Sequence, residues 1–401
     1  MPRLRAPTGP SGDAPYAQRV STLPAPELRS GPPWAMHEMV DAEPELARSI
    51  VTDRPMGEAL AAEVLAAAAA GTRIVVVGCG TSEHAALAVA ALLDEALAAR
   101  GRTRGTVVAR QAFEAAIEPW PAGLLIAISH EAETMATMAA LGAASAAGTR
   151  TALITANRDG IAASLADVVL ATPLLDRSWC HTVGYLSPVL LGSAAAAVIG
   201  GGPLDGDQLA GAMAVVAGHR AELDRLAGAL GGATAFVIVG SGLDYVAARE
   251  LALKIEEGVR LPAVARDTET ELHGHLVSAR PTTALIAIAA DPRRGDARAR
   301  RAAQLLLAAS RLGMPTAAIV GDDGNVQIPD AATSALRIVL PFNSAASRVG
   351  SLAQIAATSG VALQCLTLAL IVHHGTNPDR IGRENDDQRE SAAIASESFP
   401  F

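Results

Sequence analysis

Lysine is almost missing from this 401-residue chain: 31 arginines stand beside a single lysine, Lys254. On a solvated surface the two cations are nearly interchangeable, so the protein meets its ordinary need for positive charge with guanidinium. A lone lysine then marks a place where a planar fork will not serve. Such a place calls for a compact ammonium against a substrate oxygen, or for an amine able to lose its proton. Chance survival on an exposed helix is the competing account. Aromatic residues are scarce too, at 3% of the chain, and Ala, Leu, Val and Gly dominate, which suits closely packed helix–sheet layers. Cys79, Cys180 and Cys365 are too few and too scattered for a disulfide framework or a cysteine zinc site. The net charge of −9 argues against a nucleic-acid backbone or an anionic membrane as partner. The densest basic run, Arg293-Arg294 through Arg298, Arg300 and Arg301, reads as a solvated helix start. No apolar signal core follows Arg3 and Arg5, and the apolar stretch Val189 to Ile199 is too short to span a bilayer. The expectation is a soluble, cytoplasmic protein.

An internal repeat organises the rest. Val75-Val-Val-Gly78-Cys-Gly80-Thr-Ser matches Val237-Ile-Val-Gly240-Ser-Gly242-Leu-Asp, with Gly240 placed 162 positions after Gly78. Each copy reads as a buried strand, a Gly-x-Gly turn and an Ala/Leu-rich helix. Downstream, Leu124 to Ser129 pairs with Leu285 to Ala289, Thr151 to Thr155 with Thr316 to Val320, and Asp167 to Leu170 with Arg337 to Leu340. Short apolar strands alternating with helices indicate parallel sheets covered on both faces. The fold class is therefore α/β, as two tandem doubly wound three-layer α/β/α sandwiches of flavodoxin-like design with parallel sheets. Each has its binding crevice beyond the carboxyl ends of its strands. The Gly200-Gly-Gly-Pro203 segment reads as the linker. The expected divisions are an N-terminal arm over 1–35, a first unit over 36–205, a second over 206–375, and a tail over 376–401.

Lys254 and Glu257 are three apart in a helical pattern and share a helix face, and His273 follows Glu257 by sixteen positions. An ammonium, a carboxylate and an imidazole near one another form an acid/base set. A surface ion pair followed by an unrelated loop histidine is the other reading. Thr81 and Ser82 follow a glycine turn at a helix start, where an anion is favoured or a simple cap suffices. Ser129 and Thr134 invite the same pair of readings. His130 and Glu131 are either polar pocket contacts or a solvated loop. Cys180-His181 reads poorly as a thiol–imidazole pair, and His84 reads as a packing residue. A dinucleotide is disfavoured, since position 83 is Glu instead of the third glycine, and Arg110-Gln111 stands where a ribose-binding acid belongs.

From about residue 36 to 385 the order of elements resembles the sugar isomerase (SIS) domain family, most closely the isomerase halves of glucosamine-6-phosphate synthases. Met36-His-Glu-Met-Val-Asp-Ala-Glu-Pro44 looks like the leading helix of such a half, and Gly78-Cys-Gly80-Thr81-Ser82 like its first glycine turn. Ser129-His130-Glu131-Ala-Glu-Thr134 stands where the family carries a Ser-Gln-Ser-Gly-Glu-Thr phosphate loop. Lys254-Ile-Glu-Glu257, running without a gap to His273-Gly274, matches the catalytic stretch. The resemblance implies that Lys254 contacts an open-chain sugar and that Glu257 moves the proton between C1 and C2. It implies also that His273, from a neighbouring subunit, assists ring opening, so that the active unit is a homodimer or larger. Neither metal nor organic cofactor is called for. Gly80, Thr81, Ser82, Ser129, His130, Glu131 and Thr134 would bind substrate.

The departures are specific. Nothing in the first 35 residues matches a glutaminase half. Glu131 replaces a phosphate-binding serine, and His130 a glutamine. Trp179-Cys-His181-Thr-Val-Gly-Tyr185 replaces a Ser-Thr-Lys run, and the lysine that closes over the sugar has no counterpart, with Arg383 and Arg389 as the candidate stand-ins and no spacing to choose between them. The resulting expectation is an isomerase or deaminase for a sugar or amino-sugar derivative. The alternative is a non-catalytic carbohydrate-derivative sensor on the same fold.

Overall fold

The structure, a computed structural model, describes residues 28–322, 328–333, 336–343, 346–381 and 385–396. Most of the expected N-terminal arm, and Arg383, lie outside the described residues. Two five-stranded parallel sheets form the frame. The first holds β1 (Ile74–Gly78), β2 (Val107–Gln111), β3 (Leu124–Ile128), β4 (Arg150–Thr155) and β5 (Val168–Ala171) in the order 2-1-3-4-5. The second holds β6 (Ala235–Gly240), β7 (Ala263–Asp267), β8 (Thr283–Ala289), β9 (Thr316–Gly321) and β10 (Arg337–Leu340) in the order 10-9-8-6-7. Renumbered from its own first strand, the second sheet repeats the order of the first. Residues of β1 and β3 are buried along their whole length, as expected for strands with helices on both faces; period-two alternation is lost there because neither face meets water.

Helices α1 (Ala35–Thr52) and α2 (Arg54–Ala69) precede β1. Within the first half come α3 (Thr81–Ala99), α4 (Ala112–Ile117), α5 (Met135–Ala146) and α6 (Val183–Gly200). The chain then forms α7 (Gly206–Ala217) and α8 (Arg220–Leu230) before β6, followed by α9 (Leu243–Lys254), α10 (Thr268–Leu272), α11 (Gly295–Arg311), α12 (Asp330–Thr333), α13 (Arg348–His374) and α14 (Asp386–Ser396). The Gly-rich linker starts where α6 ends, with Gly201 in the left-handed region at φ 72°, and Asp205 caps α7 through Asp207 N and Gln208 N. After α13 the chain returns to its own beginning: Asp379 accepts from Ala35 N, and the Asn377 amide donates to Arg29 O.

The apolar stretch over Val189 to Ile199 is part of a longer helix than the sequence suggested, because Val183 to Pro188 extend it. Both α6, with 18 residues, and α13, with 27, are long and apolar enough to cross a membrane by length and composition. In this fold their apolar windows are 89% and 83% buried inside the protein. They are the central helices of one shared core, in which α6 packs on α3 and α13 packs on α6 and α9.

Candidate active site

The 2-1-3-4-5 order places a switch point between β1 and β3, where the loops leave in opposite directions and open a crevice. At that point the chain turns through Gly78-Cys-Gly80 into α3. A Cβ on Gly78 would meet Ser82 O at 2.3 Å, and Gly80 holds φ 54° with ψ −127°, a region open only to glycine. The partner loop leaves β3 at Ser129, which is buried, and its hydroxyl donates to Thr134 Oγ1 at 3.3 Å. Ala132 sits in this loop at φ 56°, an unusual conformation for a residue with a side chain.

Helix α9 of the second half packs against α3 of the first, and the polar residues meet across that contact. Glu250 is fully buried; its carboxylate accepts from Thr81 Oγ1 at 3.3 Å, contacts His84 Nδ1 at 2.6 Å and lies 3.5 Å from Lys254 Nζ. Lys254 is buried as well, and its ammonium closes on Glu257 through a short hydrogen bond. Beyond Lys254 the helix widens into a π turn over Ile255–Val259, a local distortion that recurs at functional sites. Burial disfavours charge on Lys254, but the carboxylates of Glu257 and Glu250 outweigh it and raise the pKa above the usual lysine value. Burial likewise disfavours charge on Glu250, yet Lys254, His84 and Thr81 hold its pKa below normal. Lys254 is thus a fixed ammonium, which overturns both the surface reading and the free amine. Glu257 keeps 24% of its side chain exposed, so its carboxylate reaches solvent from a dry, charged base.

Cys180 and His181, on the loop before α6, lie within electrostatic range of Lys254 and Glu257. Cys180 is fully buried, and burial raises its pKa far beyond the ordinary thiol range, so it supplies no thiolate. His181 Nδ1 stands 3.8 Å from Asp176 Oδ2. Asp176 is buried and accepts from Ser178 N at 2.9 Å, Thr182 N at 2.6 Å and Gly184 N at 3.0 Å. Burial opposes its charge, but His181, His130 and these amides bring its pKa down to about 2. Burial lowers His181 and Asp176 more than restores it, so the imidazole pKa is raised. His130 behaves oppositely: burial lowers its pKa to about 4. Its Nε2 accepts from Asp176 N at 2.7 Å, which places the remaining proton on Nδ1. The two rings meet edge to face with centroids 5.7 Å apart.

The structure brings Thr81, Lys254 and Glu257 together around Glu250, and Ser129 with Thr134 in one loop. Gly80 and Ser82 belong to the glycine turn. Glu131 is half-buried; its carbonyl accepts from the Asn157 amide at 3.0 Å, and its carboxylate has no ion pair among the described residues. His273 lies apart from the cluster, with its side chain 74% exposed and Nε2 3.2 Å from Glu269. Arg389 lies on α14 and pairs with Asp386. Sequence reasoning passed over Glu250 and Asp176 and set aside His84 and His181. Glu250 had a usable signal in the Glu250–Lys254–Glu257 spacing; Asp176 had none.

The corresponding crevice of the second half is filled differently. Gly240-Ser-Gly242 turns into α9 as its counterpart turns into α3, but a carboxylate occupies the helix start. Asp291, buried just beyond β8, accepts from Leu243 N at 3.0 Å and from Arg293 at 2.6 Å, and forms an ion pair with Arg298 at 2.7 Å. Asp244 beside it accepts from Ala290 N and Asp291 N; burial, aided by Asp291, raises its pKa to about 7. The basic run is therefore only partly a solvated helix start. Arg300 and Arg301 pair at the surface with Asp296 and Glu269, while Arg293 and Arg298 turn inward.

Several solved structures share this architecture. The C-terminal domain of glucosamine-fructose-6-phosphate aminotransferase from Francisella tularensis superposes with a TM-score of 0.70 at 16% identity, covering 88% of this chain and 99% of that one. Tagatose-6-phosphate ketose/aldose isomerase from Escherichia coli gives 0.70 at 18% identity, covering 88% and 97%. Glucosamine-6-phosphate deaminase from Thermotoga maritima gives 0.63 at 17% identity, covering 86% and 97%. No protein-family model and no curated protein sequence matches the chain. The SIS fold that the motifs resemble is the fold of this chain.

Proposed function

We propose, from the SIS fold and the buried cluster around Lys254, that this protein is a cofactor-free isomerase or deaminase of a sugar or amino-sugar derivative. The observation that supports this most is the Glu250–Lys254–Glu257 chain, set against the first crevice. Moving a proton between C1 and C2 requires a base above the carbon-bound hydrogen and a positive charge beside the oxygen that becomes an enediolate. Glu257 fits the first role, because it is the partly exposed member of the cluster. Lys254 fits the second, because two carboxylates keep it charged in a site that burial would otherwise neutralise. His181, with Nδ1 3.8 Å from Asp176 Oδ2, would shuttle an oxygen-bound proton. Gly80, Thr81, Ser82, Ser129, His130, Glu131 and Thr134 would line the substrate side.

Incubation with free and phosphorylated sugars and amino sugars in deuterium oxide tests the reading. Deuterium should enter at C1 or C2 of at least one compound; none entering any of them would sink it. The exposed His273 ring supports a homodimer in which this residue reaches a neighbour's crevice. A monomer in sedimentation at micromolar concentration with full exchange activity would exclude shared sites. The sensor alternative draws on Glu131, a carboxylate set in a loop that would otherwise cradle an anion. Sugar binding by calorimetry with no Glu257-dependent activity would favour it.

A further inference from the structure

The second crevice has a cavity of its own, about 200 Å³, lined by Pro292, Arg293, Arg294, Arg348 and Ser351. Its position follows from the repeat. In the two sheets Ile74 registers with Leu124, and Phe236, 162 positions after Ile74, registers with Ala284. Seven residues past each of those β3 and β8 partners stand Glu131 and Asp291. The loop from Asp291 to Arg294 is therefore the counterpart of the loop from Glu131 to Thr134. The acids correspond too, since Glu257 stands 162 positions after Glu95 on α3. Glu95 is 3% exposed, and its carboxylate is gripped by Arg104 at 2.9 and 3.0 Å and by Arg348 at 2.7 Å, with Arg293 3.7 Å away.

Charge at this place does not balance internally. Arg104, Arg293, Arg294, Arg298 and Arg348 face Glu95, Asp291 and Asp244. With Asp94, which also acts on Arg104, counted and Asp244 fully ionised, the guanidiniums are still in excess by one. Arg294 is exposed and has no ion pair among the described residues. It also caps the N-terminus of the 17-residue α11 in a left-handed conformation at φ 58°, with no side-chain cap bond. A cation at the positive end of a long helix is unfavourable, and an anion there would offset it. A second helix, α13, begins at Arg348, and Arg348 and Ser351 of its first turn line the same cavity.

We propose that this cavity is a second ligand site, distinct from the Lys254 cluster, that takes the dianionic phosphate of a small phosphate ester or of inorganic phosphate. Arg294 and Arg348 bind its oxygens; Arg293 is held back by Asp291 and sets the field. Glu95, surrounded by guanidiniums, cannot act as a base there, so the site binds without turning over. The site does not depend on the isomerase reading.

Calorimetric titration of the full chain with inorganic phosphate and, separately, with glucose 6-phosphate tests it. The proteins are wild type, Arg294→Ala, Arg294→Ala/Arg348→Ala, and Ser129→Ala/Thr134→Ala. One binding event should survive the Ser129/Thr134 changes, weaken about tenfold in Arg294→Ala and weaken further in the double variant. The exposed Arg294 serves as the cleaner probe, because Arg348→Ala also loosens Glu95. Equal affinities for the two probes would assign recognition to the phosphate alone; tighter binding of the ester would assign part of it to the sugar. Binding unchanged in the double variant would overturn the proposal. So would loss of every event with Ser129→Ala/Thr134→Ala, absence of binding at millimolar phosphate, or identical thermal stabilisation by sodium chloride at equal ionic strength.

Discussion

At the carboxyl edge of the first sheet the loop after β3 offers hydroxyls, the His130 imidazole and the unpaired Glu131 carboxylate, and the acid beside it, Glu257, is held by one ammonium and partly open. At the same edge of the second sheet the loop after β8 folds Asp291 onto its own glycine turn, and the matching acid, Glu95, is locked under arginines. Strand order and the geometry of the glycine turn are the same in both. The difference teaches that this fold supplies a place and a helix start, while the number of cations around one acid decides how much of it stays open to the crevice. Glu257 has one ammonium partner and a free edge; Glu95 has three guanidiniums and almost no exposure.

The sharpest test of that contrast exchanges the two acids. Glu257→Gln should lower C1/C2 deuterium exchange by about 10²- to 10⁴-fold, whereas Glu95→Gln should leave exchange nearly intact and show its cost in urea unfolding. Equal loss of exchange in both would dissolve the distinction. Next comes the internal carboxylate: Asp291→Ala leaves Arg293 and Arg298 without their buried partner and should cost about 3–5 kcal/mol of stability. Glu131→Ala, at the equivalent place in the first half, should change stability by under about 0.5 kcal/mol. Urea denaturation of the two variants side by side checks both figures.

The buried aspartates should titrate with opposite sign. Asp176 drops from 3.8 to about 2, so its contribution is present above pH 3.8 and is lost as pH falls toward 2. Asp244 rises from 3.8 to about 7, so its contribution is full below pH 3.8 and is lost as pH climbs to 7. The Asp244 effect should amount to a few kcal/mol. The Asp244 contribution to wild-type stability should therefore fall between pH 3.8 and about pH 7, and Asp244→Asn should remove that fall. A smaller effect belongs to Glu131. If the first crevice binds a phosphate, Glu131→Ser should tighten phosphorylated sugars by about 1–3 kcal/mol, or roughly 5- to 150-fold. If the ligand is uncharged or carries an amine, the same change should weaken it, and calorimetry with both classes decides.

Much of this was readable in the chain. Strands buried on both faces leave unbroken apolar runs, and two Gly-x-Gly turns at equal spacing announce a repeated sandwich. Lys254 stood out by rarity and Glu257 by helical spacing. Glu250 was legible only as a spacing to Lys254, and that spacing alone did not single it out, because an i,i+4 acid looks the same on a wet surface as in a core. Asp176 and His181 were hidden for a different reason: their partnership is made by a loop that curls back on backbone amides, and no periodicity records a loop. The arginines misled because a basic helix start is usually solvated; only the fold shows that Asp291 draws two of them inward.

The acid beside each crevice is carried by the helix that follows the first strand of the opposite half, or by the turn that ends it. One sandwich by itself would be a crevice without an acid and an acid without a crevice. Two copies docked through α3 and α9 would complete each other twice over, so a gene duplicated and fused from such a pair starts with two equivalent sites and needs only one. Redundancy of that kind frees the spare to drift: its acid can be smothered and its loop filled with arginine while the other continues to work. A symmetric pair of identical chains could not carry the asymmetry seen here, because any change in one crevice would appear in both.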